Sequence, residues 1–323
     1  MTPPASQLVR DMVWAPLAHG GPAPVAVVAT PETANDVVGA LFGRLVRFIG
    51  TTRELLTSRD PFPWAALERL VQEAADELVR CDDLFWLAHR ALSPTNGDYL
   101  ALHQARVAVM ALRLGRGLGY EGRRLGELGM AACLFDVGLW ELPDGVVRQA
   151  DPLSPRAQDS YRSHPQLSAA IVRRWGPPSD VIVEAVLEHH EREQGQGYPQ
   201  GLKGPAVHPD AKIIGLADTY ATLTAPPPQR LGRPAHEAIR EIVRSRSRAF
   251  DPVLIKALLA ETSLFPPGTL VRLSSGEIGR VLELNRQHPL RPRIEVRATS
   301  PAVPHVIDLV DAPFVYITGP IAK

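Results

Sequence analysis

The chain has 323 residues, in which 35 Lys and Arg residues balance 35 Asp and Glu residues and give a pI near 7.2. A chain of this length predicts two or three domains with a substantial buried core. Zero net charge argues against a protein that coats nucleic acid, because binding to a phosphate backbone needs a clustered cationic excess. No nucleic-acid partner is therefore expected.

The cysteine content and the absence of targeting patterns favour a soluble, cytoplasmic protein. Cys81 and Cys133 lie far apart in the sequence, which is no disulfide framework and is typical of a reducing compartment. The first residues lack the basic and then apolar pattern of a signal peptide. No run approaches the roughly 18 apolar residues of a membrane-spanning helix, so no membrane partner is expected either.

Residues 1–95 are predicted to form an N-terminal helical module, in which about the first 30 residues are irregular. Apolar residues recur at helical spacing from Pro31 to about Ser58, and again from about Trp64 to His89. A proline-rich break separates the two runs, which indicates a helical hairpin. Its simplest role is packing, and its other candidate role is docking, including formation of a homodimer.

Helical periodicity continues over residues 96–262, which we interpret as a second domain. Helices are expected at 98–118, 121–134, 155–175, 179–190, 208–224, 234–246 and 251–261. Ser154 and Asp251 each precede a proline, as expected of residues that cap a helix start. The segment 191–207 contains four Gly and two Pro, which predicts a long loop of the kind that often carries function.

The pattern changes to period two over residues 263–323, which predicts a small antiparallel β module. The expected strands are 269–273, 277–284, 293–297, 305–309 and 314–317. The predicted fold class is therefore mainly α. An all-helical domain follows a helical hairpin module and precedes a small β module, which is SH3-like or barrel-like.

A set of His and Asp residues that interrupt apolar helix faces is the candidate chemical site. One such histidine is most often a satisfied core residue, but buried His and Asp together are costly unless they pair or share a cation. Imidazole and carboxylate ligands suit Zn, Mn or Fe, and an Asp between two metals is common in sites that hydrolyse phosphate esters. The residues, from five segments, are His103, Asp136, His164, His189, His190 and Asp218.

The adjacent pair His189 and His190 is a sharper signal than the single histidines. Neighbouring side chains on a regular helix point about 100° apart, so both can reach one centre only where the helix ends. The sequence predicts such an end, because a Gly- and Pro-rich segment follows the pair. Two histidines that face solvent are the alternative interpretation.

These motifs resemble the HD-GYP domain, a branch of the HD metal-dependent phosphohydrolases. HHEREQGQGYPQGLKG, at 189–204, matches the signature HHExxDGxGYPxGLxG, and HPQLS, at 164–168, matches HPxxG. LADTYATLT, at 216–224, matches the terminal Asp motif, and 103–115 resembles the first His helix. The resemblance covers about 96–262. It implies an all-helical metallohydrolase fold and hydrolysis of cyclic di-GMP, a bacterial second messenger.

The resemblance also implies a metal site of one or two divalent ions, Fe, Mn or Zn, with Asp136 as the bridging and catalytic carboxylate. One implied ligand set is complete and consists of Asp136, His164, His189 and His190. The other set retains His103, Asp136 and Asp218. It lacks the His of the HD pair, because Phe135 stands at that position. Water or a carboxylate such as Glu141 or Glu191 is a candidate replacement.

Several other positions also depart from the pattern of the family. A leucine replaces its phosphate-facing Lys, a glutamine replaces the Asp of DGxGYP, and a proline replaces the first Arg of RPYR. These residues are Leu139, Gln194 and Pro227, and Ser168 replaces the last Gly of HPxxG. The cations that remain as candidates for substrate binding are Arg192, Lys203 and Arg230.

These losses predict a degenerate HD-GYP protein with weak or absent phosphodiesterase activity, since lost metal and phosphate contacts each reduce the rate. An active enzyme with a variant metal site, acting on cyclic di-GMP or a related cyclic dinucleotide, is one alternative. A non-catalytic interaction module is another, in which the GYP loop contacts a diguanylate-cyclase-type partner. The loop residues are Gly195, Gly197, Tyr198 and Pro199, which a tight turn alone would also require.

Overall fold

The computed structural model describes residues 31–89, 99–148, 154–226, 232–245, 247–262, 265, 267–285, 287–288, 290–297 and 305–321. Contacts within the chain divide these residues into two compact units, at Leu258 and Leu259. We call residues 31–258 the helical unit and residues 259–321 the β unit. The expected irregular segment 1–30, Pro227 and Arg230 lie outside the described residues.

The described part of the chain is mainly helical before residue 262, as the sequence predicts. The helices are α1 (Pro31–Leu55), α2 (Trp64–Arg80), α3 (Asp83–His89), α4 (Tyr99–Gly117), α5 (Gly122–Leu134), α6 (Asp144–Arg148), α7 (Pro155–Arg162), α8 (His164–Arg174), α9 (Asp180–Glu188), α10 (Pro209–Thr224), α11 (Ala235–Ser245) and α12 (Pro252–Glu261). Short 3-10 turns occupy Val137–Glu141, Gly204–Ala206 and Ser247–Ala249. No helix in the described ranges has the length and apolar character needed to cross a membrane.

Both predicted helix caps are confirmed, and two predicted helices are each divided. The Ser154 hydroxyl accepts a hydrogen bond from the Ala157 N–H at 3.3 Å, and the Asp251 carboxylate accepts one from the Val253 N–H at 2.7 Å. The helix expected over 64–89 breaks where Cys81 is extended. The helix expected over 155–175 breaks at Ser163, which places His164 at the start of α8.

Helix α4 is the centre of the helical unit. Its residues from Leu100 to Gly115 are all buried, including the polar residues His103, Gln104, Arg106 and Arg113. Helices α1, α3, α5 and α10 pack around it, and α2 packs against α5. The burial of α4 carries His103 into the interior, and the contact between α4 and α10 brings Asp218 close to it.

The β unit is one antiparallel sheet with the strand order β4-β3-β2-β1-β5. Its strands are β1 (Leu270–Leu273), β2 (Ile278–Glu283), β3 (Arg293–Arg297), β4 (His305–Asp308) and β5 (Ile317–Pro320). The inward-facing residues form a core of their own, made of Val271, Leu273, Val281, Ile294, Val296 and Leu309. The antiparallel β module predicted from the sequence is thereby confirmed.

The predicted position of the fifth strand is wrong by three residues. The sequence places it at 314–317, whereas β5 begins at Ile317 and pairs with β1. Before β5, the Ser274 hydroxyl accepts a hydrogen bond from the Tyr316 N–H at 3.2 Å and donates one to the Phe314 carbonyl at 3.3 Å. These side-chain bonds add to a backbone bond from the Ser274 N–H to the Tyr316 carbonyl at 2.8 Å. The Phe314 side chain is 91% exposed.

Candidate metal centre

Three histidine side chains converge at the ends of two helices. His164 begins α8, and His189 and His190 directly follow α9. The Nε2 atom of His164 lies 3.2 Å from Nε2 of His189 and 3.1 Å from Nε2 of His190. Because α9 ends at Glu188, the two adjacent rings turn toward one point. The helix end that the sequence predicts at this pair is therefore present, and a shared metal centre stays a prediction.

Backbone carbonyls fix the orientation of two of these rings. Nδ1 of His164 donates to the Tyr161 carbonyl at 2.6 Å, and Nδ1 of His189 donates to the Val186 carbonyl at 2.7 Å. In a neutral imidazole, the other nitrogen then carries a lone pair. Two such lone pairs 3.2 Å apart repel each other unless a proton or a cation lies between them.

Asp136 adds a carboxylate to the three imidazoles. It precedes the turn Val137–Glu141, and its Oδ1 atom lies 3.1 Å from Nε2 of His164 and 3.6 Å from Nε2 of His189. Burial alone would raise the pKa of Asp136, but His164 and His189 outweigh it and hold the pKa below its usual value. Although Oδ1 is buried, no well-aligned hydrogen bond satisfies it. This unsatisfied oxygen and the facing lone pairs fit a divalent cation.

His103 and Asp218 form a separate pair rather than joining this cluster. Nε2 of His103 lies 2.9 Å from Oδ1 of Asp218, which also accepts a hydrogen bond from the Thr222 hydroxyl at 3.2 Å. Among the described residues, the ligand atoms of His164, His189 and His190 all lie within 4.8 Å of one another, and Asp136 joins them through its distances to His164 and His189. The six predicted ligands are thus divided into a cluster of four and a pair.

The Phe135 ring lies between the cluster and the pair. Its centroid is 4.9 Å from that of His189, with the two rings nearly perpendicular, and 6.0 Å from that of His103. The side chain is fully buried, at 0% exposure. A phenyl ring has no lone pair to offer a metal, so Phe135 fills this space with apolar surface.

Ser168 and Leu139 show how two further departures are accommodated. The Ser168 hydroxyl accepts a hydrogen bond from the Gly138 N–H at 2.9 Å, so the extra side chain satisfies a buried donor. A Cβ atom on Gly138 would lie 2.7 Å from the Ser168 nitrogen, which explains the glycine there. Leu139 is buried in the same turn, at 3% exposure, and presents no charge to a phosphate.

The GYP loop is anchored by Glu191 and packs on the histidine pair. The carboxylate of Glu191 accepts hydrogen bonds from the N–H groups of residues 200, 201 and 202, at 2.6, 3.1 and 3.0 Å. The hypothesis that Glu191 replaces the missing metal ligand is therefore wrong, because both of its carboxylate oxygens bind the loop amides. Glu141, the other candidate, is exposed.

Tyr198 and Gly197 bring the loop against His190. The Tyr198 ring stacks on the His190 ring with centroids 4.6 Å apart, and its N–H donates to the His190 carbonyl at 3.2 Å. A Cβ on Gly197 would lie 2.4 Å from that carbonyl, so only glycine fits. Gln194, which replaces the Asp of the signature, pairs with Lys203 as a β-bridge and is exposed. The other two residues of the loop motif are Gly195, which follows Gln194, and Pro199, which follows Tyr198.

The predicted substrate cations have different environments. Arg192 donates from Nη1 to the carbonyls of His189 and Glu191, each at 2.8 Å, and its guanidinium lies 5.2 Å from the centroid of the Phe250 ring. It therefore braces the backbone of the histidine pair. Lys203 is exposed, and its side chain runs beside Gly195.

Sequence reasoning missed Arg162, which lies beside the site. Its guanidinium carbon is 5.0 Å from the centroid of the Tyr198 ring, and it is the last residue of α7. The available signal was its position two residues before the HPQLS motif, in the interior of the helix predicted over 155–175. Helical periodicity does not reveal this contact, because it depends on the break at Ser163.

Two protein-family models match this chain, one in the helical unit and one in the β unit. The family model for the HD domain matches residues 90–254, and that for a KOW domain associated with the HD domain matches residues 270–323. A cyclic di-GMP phosphodiesterase of Pseudomonas aeruginosa is 32% identical over 219 residues, which are 67% of this chain and 53% of that protein. A cyclic di-GMP phosphodiesterase of Thermotoga maritima is 28% identical over 158 residues, which are 49% of this chain and 43% of that protein.

The chain spans about half the length of these curated relatives. Among solved structures, an HDGYP protein of Bdellovibrio bacteriovorus has a TM-score of 0.61 at 17% identity, covering 71% of this chain and 72% of that one. A likeness at this identity shows a shared fold. Since the HD domain model spans half of the sequence, the chain belongs to the HD domain family.

Proposed function

We propose that this chain is a degenerate HD-GYP protein of cyclic di-GMP signalling that holds one divalent ion. It would recognise a cyclic dinucleotide and hydrolyse it weakly or not at all. The observation that carries this proposal is the convergence of His164, His189, His190 and Asp136 beside the phenyl ring of Phe135. The three histidines and Asp136 support binding of the ion. The phenyl ring, which offers no metal ligand, is our reason for expecting weak turnover.

The donor set determines which ion fits. Three imidazole nitrogens and one carboxylate suit Fe, Mn or Zn rather than Ca. When bound, such an ion would supply Lewis-acid stabilisation to a phosphoryl oxygen. The protein's own contribution is to keep the nitrogen lone pairs aimed inward, through the carbonyls of Tyr161 and Val186, and to place the Asp136 carboxylate beside them.

A single ion is expected because the second set of implied ligands, His103 and Asp218, is incomplete and its members pair with each other. His103 and Asp218 hydrogen-bond each other, and Phe135 contributes no ligand between them and the cluster. Protein purified without chelator should therefore contain about one equivalent of metal by elemental analysis. Phe135→His should raise the content toward two equivalents, and Phe135→Leu should leave it at one. Two ions in the wild-type protein would contradict this part of the proposal.

Turnover distinguishes the degenerate enzyme from the active alternative. Wild-type protein loaded with Mn²⁺ or Fe²⁺ is incubated with cyclic di-GMP and with its linear form, and the products are separated by chromatography. We expect binding with slow or undetectable hydrolysis, and loss of any hydrolysis in His164→Ala. A rate of about 1 s⁻¹ or more, ordinary for an enzyme, would establish the active alternative instead.

Interaction through the GYP loop is a second candidate function, favoured by the anchoring of the loop. Glu191 holds three loop N–H groups with its own carboxylate, so the shape of the loop does not depend on an ion. His189→Ala should then abolish metal binding while a diguanylate-cyclase domain is still captured in a pull-down. Equal loss of metal and partner would count against this candidate. Homodimer formation through the N-terminal helices stays a prediction.

A further inference from the structure

Arg162 lies at the outer end of a stack of side chains that leads to the histidine cluster. Its guanidinium carbon is 5.0 Å from the centroid of the Tyr198 ring. The Tyr198 ring stacks in turn on His190, with centroids 4.6 Å apart and planes inclined by 21°. Nε2 of His190 faces Nε2 of His164 at 3.1 Å. A charged group on an exposed side chain thus lies beside the candidate metal centre.

The contact with Tyr198 leaves the hydrogen-bonding edge of Arg162 available. In the part of the chain that the structure describes, Arg162 makes no ion pair with a carboxylate. A cation–π contact is an attraction between the charge and the ring, and it does not occupy the N–H donors as a hydrogen bond would. The five N–H donors lie in the plane of the group, so they can still form a fork with two oxygens of one anion.

The other cations near the cluster are less suited to this role. Arg192 donates to the carbonyls of His189 and Glu191 and so belongs to the backbone turn. The phosphate-facing lysine expected from the resemblance is absent, because the apolar Leu139 stands at that position in the turn that follows Asp136. Lys203 lies on the outer part of the loop, beside Gly195. Of these cations within the described residues, Arg162 is the one that combines exposure, freedom from a carboxylate and a contact with the ring stacked on His190.

We propose that Arg162 binds a phosphate group of an anionic ligand seated at the histidine cluster, with Tyr198 holding the guanidinium in position. Arginine pairs with phosphate through two parallel hydrogen bonds, which gives both affinity and orientation. Recognition of a cyclic dinucleotide by this residue rests on the proposed function. Recognition of phosphate itself does not.

The test compares ligand affinity in metal-loaded wild-type protein, Arg162→Ala, Arg162→Lys and Arg156→Ala. Arg156 is an exposed arginine on the same helix and serves as the matched control. Titration calorimetry with cyclic di-GMP, and separately with inorganic phosphate, should show affinity roughly 10- to 100-fold weaker in Arg162→Ala. Arg162→Lys should retain part of the affinity, and Arg156→Ala should match the wild type.

Metal content and melting temperature are measured for every variant, and both should equal those of the wild type, because Arg162 is exposed. If Arg162→Ala binds both probes as tightly as the wild type with normal metal content, the proposal is overturned. If the wild-type protein binds phosphate through Arg162 but not cyclic di-GMP, the proposed function fails and the assignment of Arg162 stands. Wild-type protein that binds neither probe would overturn both.

Discussion

The Phe135 ring lies between two sets of polar side chains, with its centroid 4.9 Å from that of His189 and 6.0 Å from that of His103. On one side, His164, His189 and Asp136 bring lone pairs and a carboxylate within about hydrogen-bond distance of each other. On the other side, His103 and Asp218 satisfy each other. An imidazole at position 135 would add a ligand atom to the second set. The phenyl ring excludes water and has no atom that can coordinate a metal. The proposal of a single ion therefore rests on this one side chain.

His89 shows a different way to bury an imidazole, without any metal ligand beside it. It ends α3, donates from Nδ1 to the Phe85 carbonyl at 2.9 Å, and stacks on the Phe85 ring. Burial lowers its pKa to about 4, and the nearby charges of Arg106 and Arg113 act in the same direction. The buried ring therefore stays neutral at pH values where a free histidine would be protonated.

His89 is expected to make the stability of the helical unit depend on pH. Between pH 6.5 and about 4 the unfolded chain binds a proton here and the folded chain does not, so stability falls as the pH falls. The loss at pH 5 should be about 2 kcal/mol relative to pH 7.5. Urea unfolding at both pH values should show a smaller loss in His89→Phe than in wild type. The exposed His288, changed to Phe, is the control. An equal loss in His89→Phe and wild type would refute this assignment.

At the scale of elements, the loop 191–204 is held in one shape by hydrogen bonds to a buried side chain rather than by those of a helix or a sheet. Glu191 is 2% exposed and accepts three N–H groups, which would otherwise be left without partners. Glu193 adds an ion pair with Lys212 at 2.8 Å, so the loop is also tied to α10. These bonds place Tyr198 on His190, and they connect the shape of the loop to the geometry of the histidines.

Removing the Glu191 carboxylate should loosen this loop and leave the rest of the helical unit folded. In Glu191→Ala, the amides of residues 200–202 lose their charged acceptor, and a hydrogen bond to a charged group contributes roughly 1.5–3 kcal/mol. Hydrogen exchange should show faster exchange at these amides, with protection in α4 unchanged. Glu184→Ala, at an exposed position on α9, is the matched control. Unchanged exchange at 200–202 would mean that the carboxylate is not what holds the loop.

The sequence could predict the elements of this unit better than the contacts between them. Helix positions followed from apolar spacing, and the shared centre of His189 and His190 followed from helix geometry at a helix end. The role of Glu191 could not be predicted, because its acceptor partners are backbone groups whose positions depend on the folded loop. The contact of Arg162 with Tyr198 likewise depends on a helix break at Ser163. The sequence pattern does not specify contacts of this kind.

At the scale of the whole molecule, the helical unit and the β unit each have their own core. In the β unit, six buried residues form the core, and the partly buried residues that pack on it, such as Phe265 and Leu284, come from the same unit. The helical unit is organised around α4. Two self-contained cores predict that damage to one need not destroy the function of the other.

Ile294→Ala should therefore destabilise the β unit without removing metal from the helical unit. Ile294 is fully buried in β3, and truncation of a buried isoleucine to alanine costs about 2–5 kcal/mol, since it leaves a cavity. Calorimetry should show the transition of the β unit at lower temperature or absent. The transition of the helical unit and the metal content should stay as in wild type. Val306→Ala, at a position 48% exposed in β4, is the control and should change neither transition. Loss of metal in Ile294→Ala would show that the two units are energetically coupled.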